Sequence, residues 1–335
     1  MTMRLRRSHF ARSMFCSAAL LVCTCTNPSS PFGVDEPIAG AVVTDDLARF
    51  WAAYDAGASS EAFQREYLDR ATPGLRDFAE RRQVTATALT QMVAAYPNFF
   101  AAVREPSLRM ATDPAVTSAI HAAFVALDRV FPEATFPPTT LLIGRFSTAG
   151  TISNAGVLIG SEFLLGGPGV PTEELGAFQR AYTRDQAGLV PLALHEMVHI
   201  QQARAGVFAG GARWRTLLAQ SLVEGIADFV AERVWGEHIN TALHTWAISR
   251  EDSLWREFEP LMHDENVDGW LYNHANSTPD RPGDLGYFVG HRIAKAYAST
   301  RPSLEVAVRE LILMNDPAAL LEASGYAGSS SGAVQ

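Results

Sequence analysis

Two apolar stretches of this chain carry ionisable side chains at positions that a helix would bury. The first stretch contains His195, Glu196 and His199, and the second contains Glu224 and Asp228. A charged side chain inside an apolar helix is costly unless it is paired or bound to a metal ion. The fold must therefore bury both helices and still give these side chains partners.

The first stretch predicts a helix with two histidines on one face. Pro191 suits its first turn, and Gly206 suits its end. His195 and His199 are four residues apart, so their imidazoles can reach the same ion. Glu196 follows the first histidine and can approach the open side of that ion. This is the His-Glu-x-x-His pattern of zinc hydrolases, in which the glutamate is the general base.

A catalytic zinc site requires a third protein ligand. A histidine six residues after His199 would supply one, but that position is Ala205. Glu224, on the second predicted helix, is therefore assigned as the third ligand. Asp228 lies four residues further on the same side, and it is expected to accept the far N–H of a ligating histidine and fix its tautomer. Two other glutamates are weaker substitutes for the third ligand: Glu232 and Glu237.

This ligand set predicts a hydrolytic mechanism. Zinc would keep one position for water, lower the pKa of that water and polarise a carbonyl group. Glu196 would take the proton of the water and later deliver it to the leaving amine. The oxyanion of the intermediate needs a further donor, for which Tyr287 is the first candidate. The other candidate donors are His291, Tyr272 and His274. The remaining histidines of the folded part are interpreted as surface or capping residues: His121, His238, His244 and His263.

Residues 45–131 are predicted to form several short helices. Apolar and aromatic side chains recur there at helical spacing. Four prolines are expected to divide the region: Pro73, Pro97, Pro106 and Pro114. The region contains no cluster of histidine and acidic residues that indicates a site.

Two short apolar runs predict β-structure beside the metal-motif helix. Residues 141–146 and 157–165 are the best strand candidates, and the glycine-bearing segment between them favours a hairpin. The second run could offer a backbone edge to an extended peptide. Helical patterns then continue to residue 322. The predicted class is therefore α+β and mainly helical, with a small β-hairpin or sheet beside the active-site helix.

The predicted organisation has five parts. Residues 1–26 form a signal peptide, and residues 27–44 form a linker rich in Pro, Ser and Gly. Residues 45–138 form a helical N-terminal part, and residues 139–322 form the catalytic part. Residues 323–335 are small and polar and predict a disordered tail.

The amino terminus predicts export. Four arginines precede a mostly apolar run from Met14 to Cys25, and small polar residues follow it. Cys23 or Cys25 could bear the lipid of a bacterial lipoprotein, although neither follows the small residue expected for that signal. Lipid anchoring and free secretion both stay open, so the predicted location is the periplasm, the cell envelope or the extracellular space. All cysteines lie in or beside this run, so the folded part is expected to lack disulfides and thiolate metal sites.

The charge of the chain argues against a nucleic-acid partner. Its 335 residues include 36 acidic and 27 basic side chains, a formal charge of −9, and loss of residues 1–26 would leave −13. An acidic chain without a basic run beyond the signal is a poor electrostatic match for nucleic acid. No apolar stretch reaches the roughly 20 residues needed to span a bilayer. An N-terminal lipid anchor would therefore be the expected membrane contact.

The motifs resemble those of known zinc peptidases. His195-Glu196-x-x-His199 followed by Glu224-x-x-x-Asp228 is similar to the gluzincin metallopeptidases, of which thermolysin is the familiar member. The chain more closely resembles a bacterial family of predicted zinc-dependent proteases related to the gliding-motility lipoprotein B group. The stretches that carry this likeness are Leu222–Phe229, Trp270–Tyr272 and Asp284–Tyr297, and the likeness covers most of residues 45–322. The resemblance implies a zincin-like metallopeptidase domain and a reaction class, and it supplies no substrate.

The leading hypothesis is a secreted or lipid-anchored zinc metallopeptidase that binds Zn2+ and cleaves a peptide or protein substrate. The alternative is a non-enzymatic envelope interaction lipoprotein on a peptidase-like scaffold, a role that the gliding lipoproteins imply. A third hypothesis is a zinc hydrolase that acts on a non-peptide bond. The intact position Glu196 favours an enzyme, since a structural metal site does not require a general base.

Overall fold

The computed structural model describes residues 40–209, 211–278 and 280–328 of the chain. Its α-helices are α1 (Asp45–Asp55), α2 (Ser60–Ala62), α3 (Pro73–Arg82), α4 (Ala86–Ala95), α5 (Pro97–Thr112), α6 (Pro114–Val130), α7 (Ala177–Tyr182), α8 (Leu189–Arg204), α9 (Leu217–Trp235), α10 (Thr241–Ile248), α11 (Glu251–Phe258), α12 (Leu285–Ser299), α13 (Leu304–Ile312) and α14 (Pro317–Ser324). A π-helical segment, Phe63–Leu68, continues α2. The strands are β1 (Val42–Val43), β2 (Thr139–Leu142), β3 (Gly150–Ser153) and β4 (Gly156–Gly160). The predicted α+β, mainly helical class is confirmed.

Prolines begin three helices of the N-terminal part, as the sequence predicts. Pro73, Pro97 and Pro114 occupy the first turns of α3, α5 and α6. The N–H groups of a first turn have no acceptor within the helix, so a proline, which lacks the N–H, removes no hydrogen bond there. Pro106 lies inside α5 and does not divide it, so this prediction is wrong. Ala102, four residues earlier, is exposed, so water can reach the carbonyl that loses its hydrogen bond there.

The sheet has the strand order β1-β2-β4-β3. Strand β2 runs parallel to β1 and to β4, whereas β3 and β4 are antiparallel. The predicted hairpin between residues 141–146 and 157–165 is therefore wrong, because β2 and β4 are parallel neighbours. The segment between them supplies β3, which pairs with β4 instead. Because β4 has partners on both sides, the free edge next to α8 belongs to β3, and residues 157–165 offer none.

Both ends of the described chain are attached to the fold. Strand β1 lies within residues 27–44, predicted as a linker, and pairs with β2. Tyr326 lies within the predicted tail, residues 323–335, yet its hydroxyl donates to Glu251 Oε1 at 2.9 Å. Residues of the predicted linker and of the predicted tail therefore take part in the fold. The predicted signal peptide, residues 1–26, and the tail beyond residue 328 lie outside the described residues.

Two buried helices form the centre of the second half of the chain. Every residue of α8 from Leu189 to Gln202 is buried, because α8 packs against β3 and β4 on one side and against α9 on another. Helix α9 in turn packs against α12. A Cβ added to Gly225 of α9 would lie 2.5 Å from the Cα of Gly290 of α12, so the glycines let these two backbones touch.

No single helix within the described ranges is long and apolar enough to cross a bilayer. Helices α5 and α6 meet at a bend of 60° and reach the required length and composition only as a pair. Both contribute side chains to the core, among them Phe100 and Phe124.

Candidate metal centre

Helices α8 and α9 bring the three predicted ligands together. The Nε2 atoms of His195 and His199 lie 3.0 Å apart. Oε2 of Glu224 lies 3.1 Å from the Nε2 of His199 and 3.4 Å from the Nε2 of His195. All three side chains are buried. Two imidazole nitrogens and one carboxylate oxygen thus point to one position, which is the ligand set of a catalytic zinc site.

Neighbouring side chains fix where each imidazole carries its proton. His195 Nδ1 donates to Asp228 Oδ1 at 2.7 Å, and His199 Nδ1 donates to Gln202 Oε1 at 2.7 Å. The amide of Gln202 is held in this orientation because its Nε2 donates to the carbonyl oxygen of Val223 at 3.0 Å. Each neutral ring therefore directs a lone pair from Nε2. Two lone pairs 3.0 Å apart repel unless a proton or a cation lies between them, so the donor set fits a metal ion.

The structure places Asp228 where the sequence predicts it, behind His195. Sequence reasoning misses Gln202, which does the same for His199. The available signal is an amide three residues after His199 on a helix that is buried on all sides, where an unpaired polar group is costly. Of the weaker substitutes for the third ligand, Glu232 contacts His291 instead, and Glu237 is exposed.

Burial and charge act in opposite directions on the ligands. Burial by itself lowers the pKa of His195, but hydrogen bonds to Asp228 and Glu224 outweigh it, and the pKa lies well above its ordinary 6.5. Burial acts to raise the pKa of Glu224, but the charge of His199 and the hydrogen bonds from both histidines hold it well below its ordinary 4.5. A metal ion must therefore displace a proton from the imidazoles when it binds.

Glu196, the predicted general base, is buried beside the edge strand of the sheet. A Cβ added to Gly150 of β3 would lie 2.8 Å from the Cγ and Cδ of Glu196, so any larger residue there would have to displace the Glu196 side chain. No hydrogen bond from the described residues holds the carboxylate. Burial raises the pKa of Glu196, and the charges of His195 and His199 partly oppose that rise. A carboxylate with a raised pKa suits proton transfer near neutral pH.

Two of the predicted oxyanion donors lie at this cluster. The hydroxyl of Tyr272 donates to Oε1 of Glu224 at 3.0 Å and thereby orients the ligand carboxylate. The ring of Tyr287 lies over His195, with centroids 6.3 Å apart and planes 17° from parallel. Burial, followed by the charge of Glu224, raises the pKa of Tyr287 well above 10. The side chain of Tyr272 is 45% exposed, but desolvation of its hydroxyl and then the charge of Glu224 also raise its pKa above 10. Both hydroxyls therefore keep their protons as donors.

The other two candidate donors have different partners. His274 packs against Tyr182 with ring centroids 3.7 Å apart, and its Nδ1 lies 3.5 Å from Oδ2 of Asp284. His291 Nε2 donates to Oε2 of Glu232 at 2.6 Å. Within the described part of the chain, neither histidine has a hydrogen bond or ring contact with the three ligands. Their positions in the sequence made both histidines candidates but could not show which residues they contact in the fold.

Of the four histidines interpreted as surface or capping residues, His263 is exposed as expected. His121 lies inside α6 and is half-buried, with its Nε2 3.1 Å from the carbonyl oxygen of Gly40. His238 and His244 are also half-buried, and they pack against each other and against His291.

The fold and the site define a mainly helical α+β protein with a buried imidazole–carboxylate cluster suited to a transition metal. The model of one family, described as gliding motility protein GldB, matches residues 50–328. The chain belongs to this family, which confirms the predicted relation to the gliding-motility lipoprotein B group and implies a protein associated with the cell envelope. The description names gliding motility and no catalytic activity, so it lends no support to the likeness to gluzincin peptidases. No curated protein and no solved structure matches the chain.

Proposed function

We propose that this envelope-associated protein is a zinc-dependent hydrolase of peptide bonds, with His195, His199 and Glu224 as the ligands. The observation that carries the proposal is the convergence of their Nε2, Nε2 and Oε2 atoms within 3.4 Å, while each Nδ1 donates elsewhere. Glu196 adds the catalytic element. It is buried next to the ligands, free of hydrogen bonds from the described residues, and has no role in a purely structural metal site.

The residues of this chain divide the work of such a reaction among them. A bound zinc ion would supply a Lewis acid that lowers the pKa of water and polarises a carbonyl. Glu196 would accept a proton from the attacking water and deliver it to the leaving amine. Tyr287, protonated and next to His195, would donate a hydrogen bond to the oxyanion. The free edge of β3, beside Glu196, would pair with the backbone of an extended substrate.

A non-enzymatic envelope interaction protein is the second candidate. The observation that favours it is the family itself, whose description refers to gliding motility and to no reaction. The comparison thus favours an interaction role, whereas the geometry of the ligands and of Glu196 favours hydrolysis. In the interaction role an ion would hold α8 and α9 together, and Glu196 would be dispensable.

The variant Glu196→Gln separates these candidates. The amide keeps the size of the side chain but accepts no proton, so we expect full zinc content with turnover reduced about 10²–10⁴-fold. The measurement is kcat/KM on a peptide selected by digestion of a peptide library with the wild type, with zinc content determined in the same sample. Glu237→Gln, which makes the same change at an exposed position, is the matched control and should act as wild type.

Each outcome of that experiment decides between the candidates. Full activity of a zinc-loaded Glu196→Gln protein would refute Glu196 as the base. Zinc binding by the wild type without hydrolysis of any library peptide would favour the interaction role or a non-peptide substrate. A wild type that binds no zinc would refute the metal assignment itself.

A further inference from the structure

A second group of histidines lies where the sequence predicts surface or capping residues and a spare oxyanion donor. Ring centroids of His238 and His244 are 3.7 Å apart, and those of His244 and His291 are 4.6 Å apart. His238 precedes α10, His244 lies within it, and His291 lies on α12. One ligand nitrogen from each ring lies within 4.8 Å of those of the other two. Three separate segments therefore bring three imidazoles to a common point.

Three nitrogens of this group are buried and lack a hydrogen-bond partner within the described part of the chain. They are the Nε2 atoms of His238 and His244 and the Nδ1 of His291. His291 is 3% exposed, so solvent does not reach its ring freely. Buried polar atoms are normally paired, and three unpaired imidazole nitrogens around one space indicate a shared ligand. Imidazole nitrogens are preferred ligands of Zn2+, Co2+, Ni2+ and Cu2+.

Glu232 prepares His291 for such a role. Its Oε2 accepts the Nε2 proton of His291 at 2.6 Å, which leaves a free lone pair on Nδ1 of the neutral ring. A carboxylate behind the imidazole is the usual support of a metal-binding histidine. Glu232 lies one helical turn after Asp228 on α9. Consecutive turns of the same helix thus carry the carboxylates that orient His195 and His291.

The local charges are compatible with a bound cation. Two positive charges act on His244: Arg292, which is paired with Glu251 at 2.6 Å, and Lys295. The carboxylate of Glu232, on which Lys295 also acts, contacts His291 directly. The site therefore places a carboxylate next to its three imidazoles.

We propose that His238, His244 and His291 form a second metal site, which binds a transition cation of the imidazole-preferring class. His291 and His244 are its principal ligands. His238 Nδ1 accepts the backbone N–H of Asn240 at 2.8 Å, which places the proton of its neutral ring on Nε2. Ligation by His238 Nε2 requires that proton to move and the Asn240 hydrogen bond to break. We therefore expect His238 to add less to the affinity than His244 does.

This second site is independent of the proposed hydrolytic reaction, because it shares no ligand with His195, His199 and Glu224. The test is zinc stoichiometry of the purified full-length protein after dialysis against a weak chelator. We expect two equivalents in the wild type and one in His244→Ala, which truncates a half-buried side chain and spares the buried His291. His263→Ala removes an exposed histidine and should keep two equivalents. Circular dichroism verifies the fold of each variant.

Two further variants assign the equivalents. His199→Ala should lose the zinc ion of the first site (His195, His199 and Glu224) and keep that of the second site. The double variant His199→Ala/His244→Ala should bind no zinc. Glu232→Gln should weaken the second equivalent about 10–100-fold, since it removes the charge that orients His291, and leave the first unchanged. A calorimetric titration with Zn2+ alone measures this shift in affinity.

The possible results separate the second site from the proposed function. One equivalent that survives His244→Ala and is lost in His199→Ala would overturn the second site and leave the first intact. One equivalent that is lost in His244→Ala and survives His199→Ala would support the second site and refute the first. Two equivalents that both survive His244→Ala would also overturn the second site, as would absence of any zinc binding in the titration.

Discussion

Replacing Asp228 should weaken zinc binding at the first site in two graded steps. Asp228 is 1% exposed and accepts the Nδ1 proton of His195 at 2.7 Å. In Asp228→Asn the amide oxygen can still accept this hydrogen bond, so the variant removes the charge and keeps the contact. In Asp228→Ala the acceptor is lost and a buried N–H is left unpaired. The two variants therefore separate the effect of charge from the effect of orientation.

The magnitudes follow from the kinds of hydrogen bond involved. A hydrogen bond to a charged group contributes about 1.5–3 kcal/mol, and one between neutral groups about 0.5–1.5 kcal/mol. Their difference of about 1–1.5 kcal/mol corresponds to a loss of about 10-fold in affinity for Asp228→Asn. Asp228→Ala loses the whole contact, and we expect a loss of about 100-fold, the upper end for residues that support a ligating histidine.

The assay is competition for zinc with a chelator of known affinity at fixed pH and ionic strength. Glu237→Gln is the control, because it removes one negative charge from an exposed position just after α9. Unchanged affinity in both Asp228 variants would show that His195 is not a ligand held by this contact. Equal losses in Asp228→Asn and Glu237→Gln would assign the effect to net charge, and equal losses in Asp228→Asn and Asp228→Ala would contradict the graded scheme.

Two more predictions concern the same centre. In zinc-free protein the raised pKa of His195 stabilises the fold fully below pH 6.5, and this contribution is lost as the pH rises through the folded-state pKa. Without zinc, the free energy of unfolding in urea should therefore decrease as the pH rises above 6.5, and with zinc it should not. A zinc-free His195→Gln protein whose free energy of unfolding decreases equally would show that His195 is not the cause. Gly150→Ala would place a Cβ 2.8 Å from the Cγ and Cδ of Glu196, so we expect kcat/KM to fall about 100-fold at unchanged zinc content. Ser153→Ala at the other end of β3 is its control, and a Gly150→Ala protein as active as that control would contradict the close approach.

The convergence of His195, His199 and Glu224 could be predicted from the sequence because most of its geometry is local. His195 and His199 share a helix face by spacing alone, and the apolar residues around Glu224 and Asp228 show that their helix is buried. The one further assumption is that these two buried helices pack together, so that the carboxylates of one meet the imidazoles of the other. The structure shows α8 and α9 in contact, with the carboxylates facing the imidazoles.

The features that the sequence did not predict depend on contacts between distant segments. Strand β3 reads Gly-Thr-Ile-Ser and lacks an apolar run, and it is a strand because β4 offers it a partner. The pairing of β2 with β4 depends on a parallel crossover, which local hairpin signals cannot reveal. The histidine group of α10 and α12 forms only where these two helices pack together, so no spacing along the chain identifies it.

The crossing of α9 and α12 links the two histidine groups in one packing arrangement. Gly225 and Gly290 bring the two backbones into contact, since a Cβ on Gly225 would lie 2.5 Å from the Cα of Gly290. Tyr287 and His291 flank Gly290 on α12, and each faces a different group. The distance between the helices sets the approach of His291 to Glu232 on α9. The approach of Tyr287 to His195 depends in addition on the packing of α8 against α9. A protein interior is densely packed and does not widen at one point alone. The crossing therefore holds both histidine groups in place, although they share no residue, whether the chain acts as a hydrolase or as a binding protein.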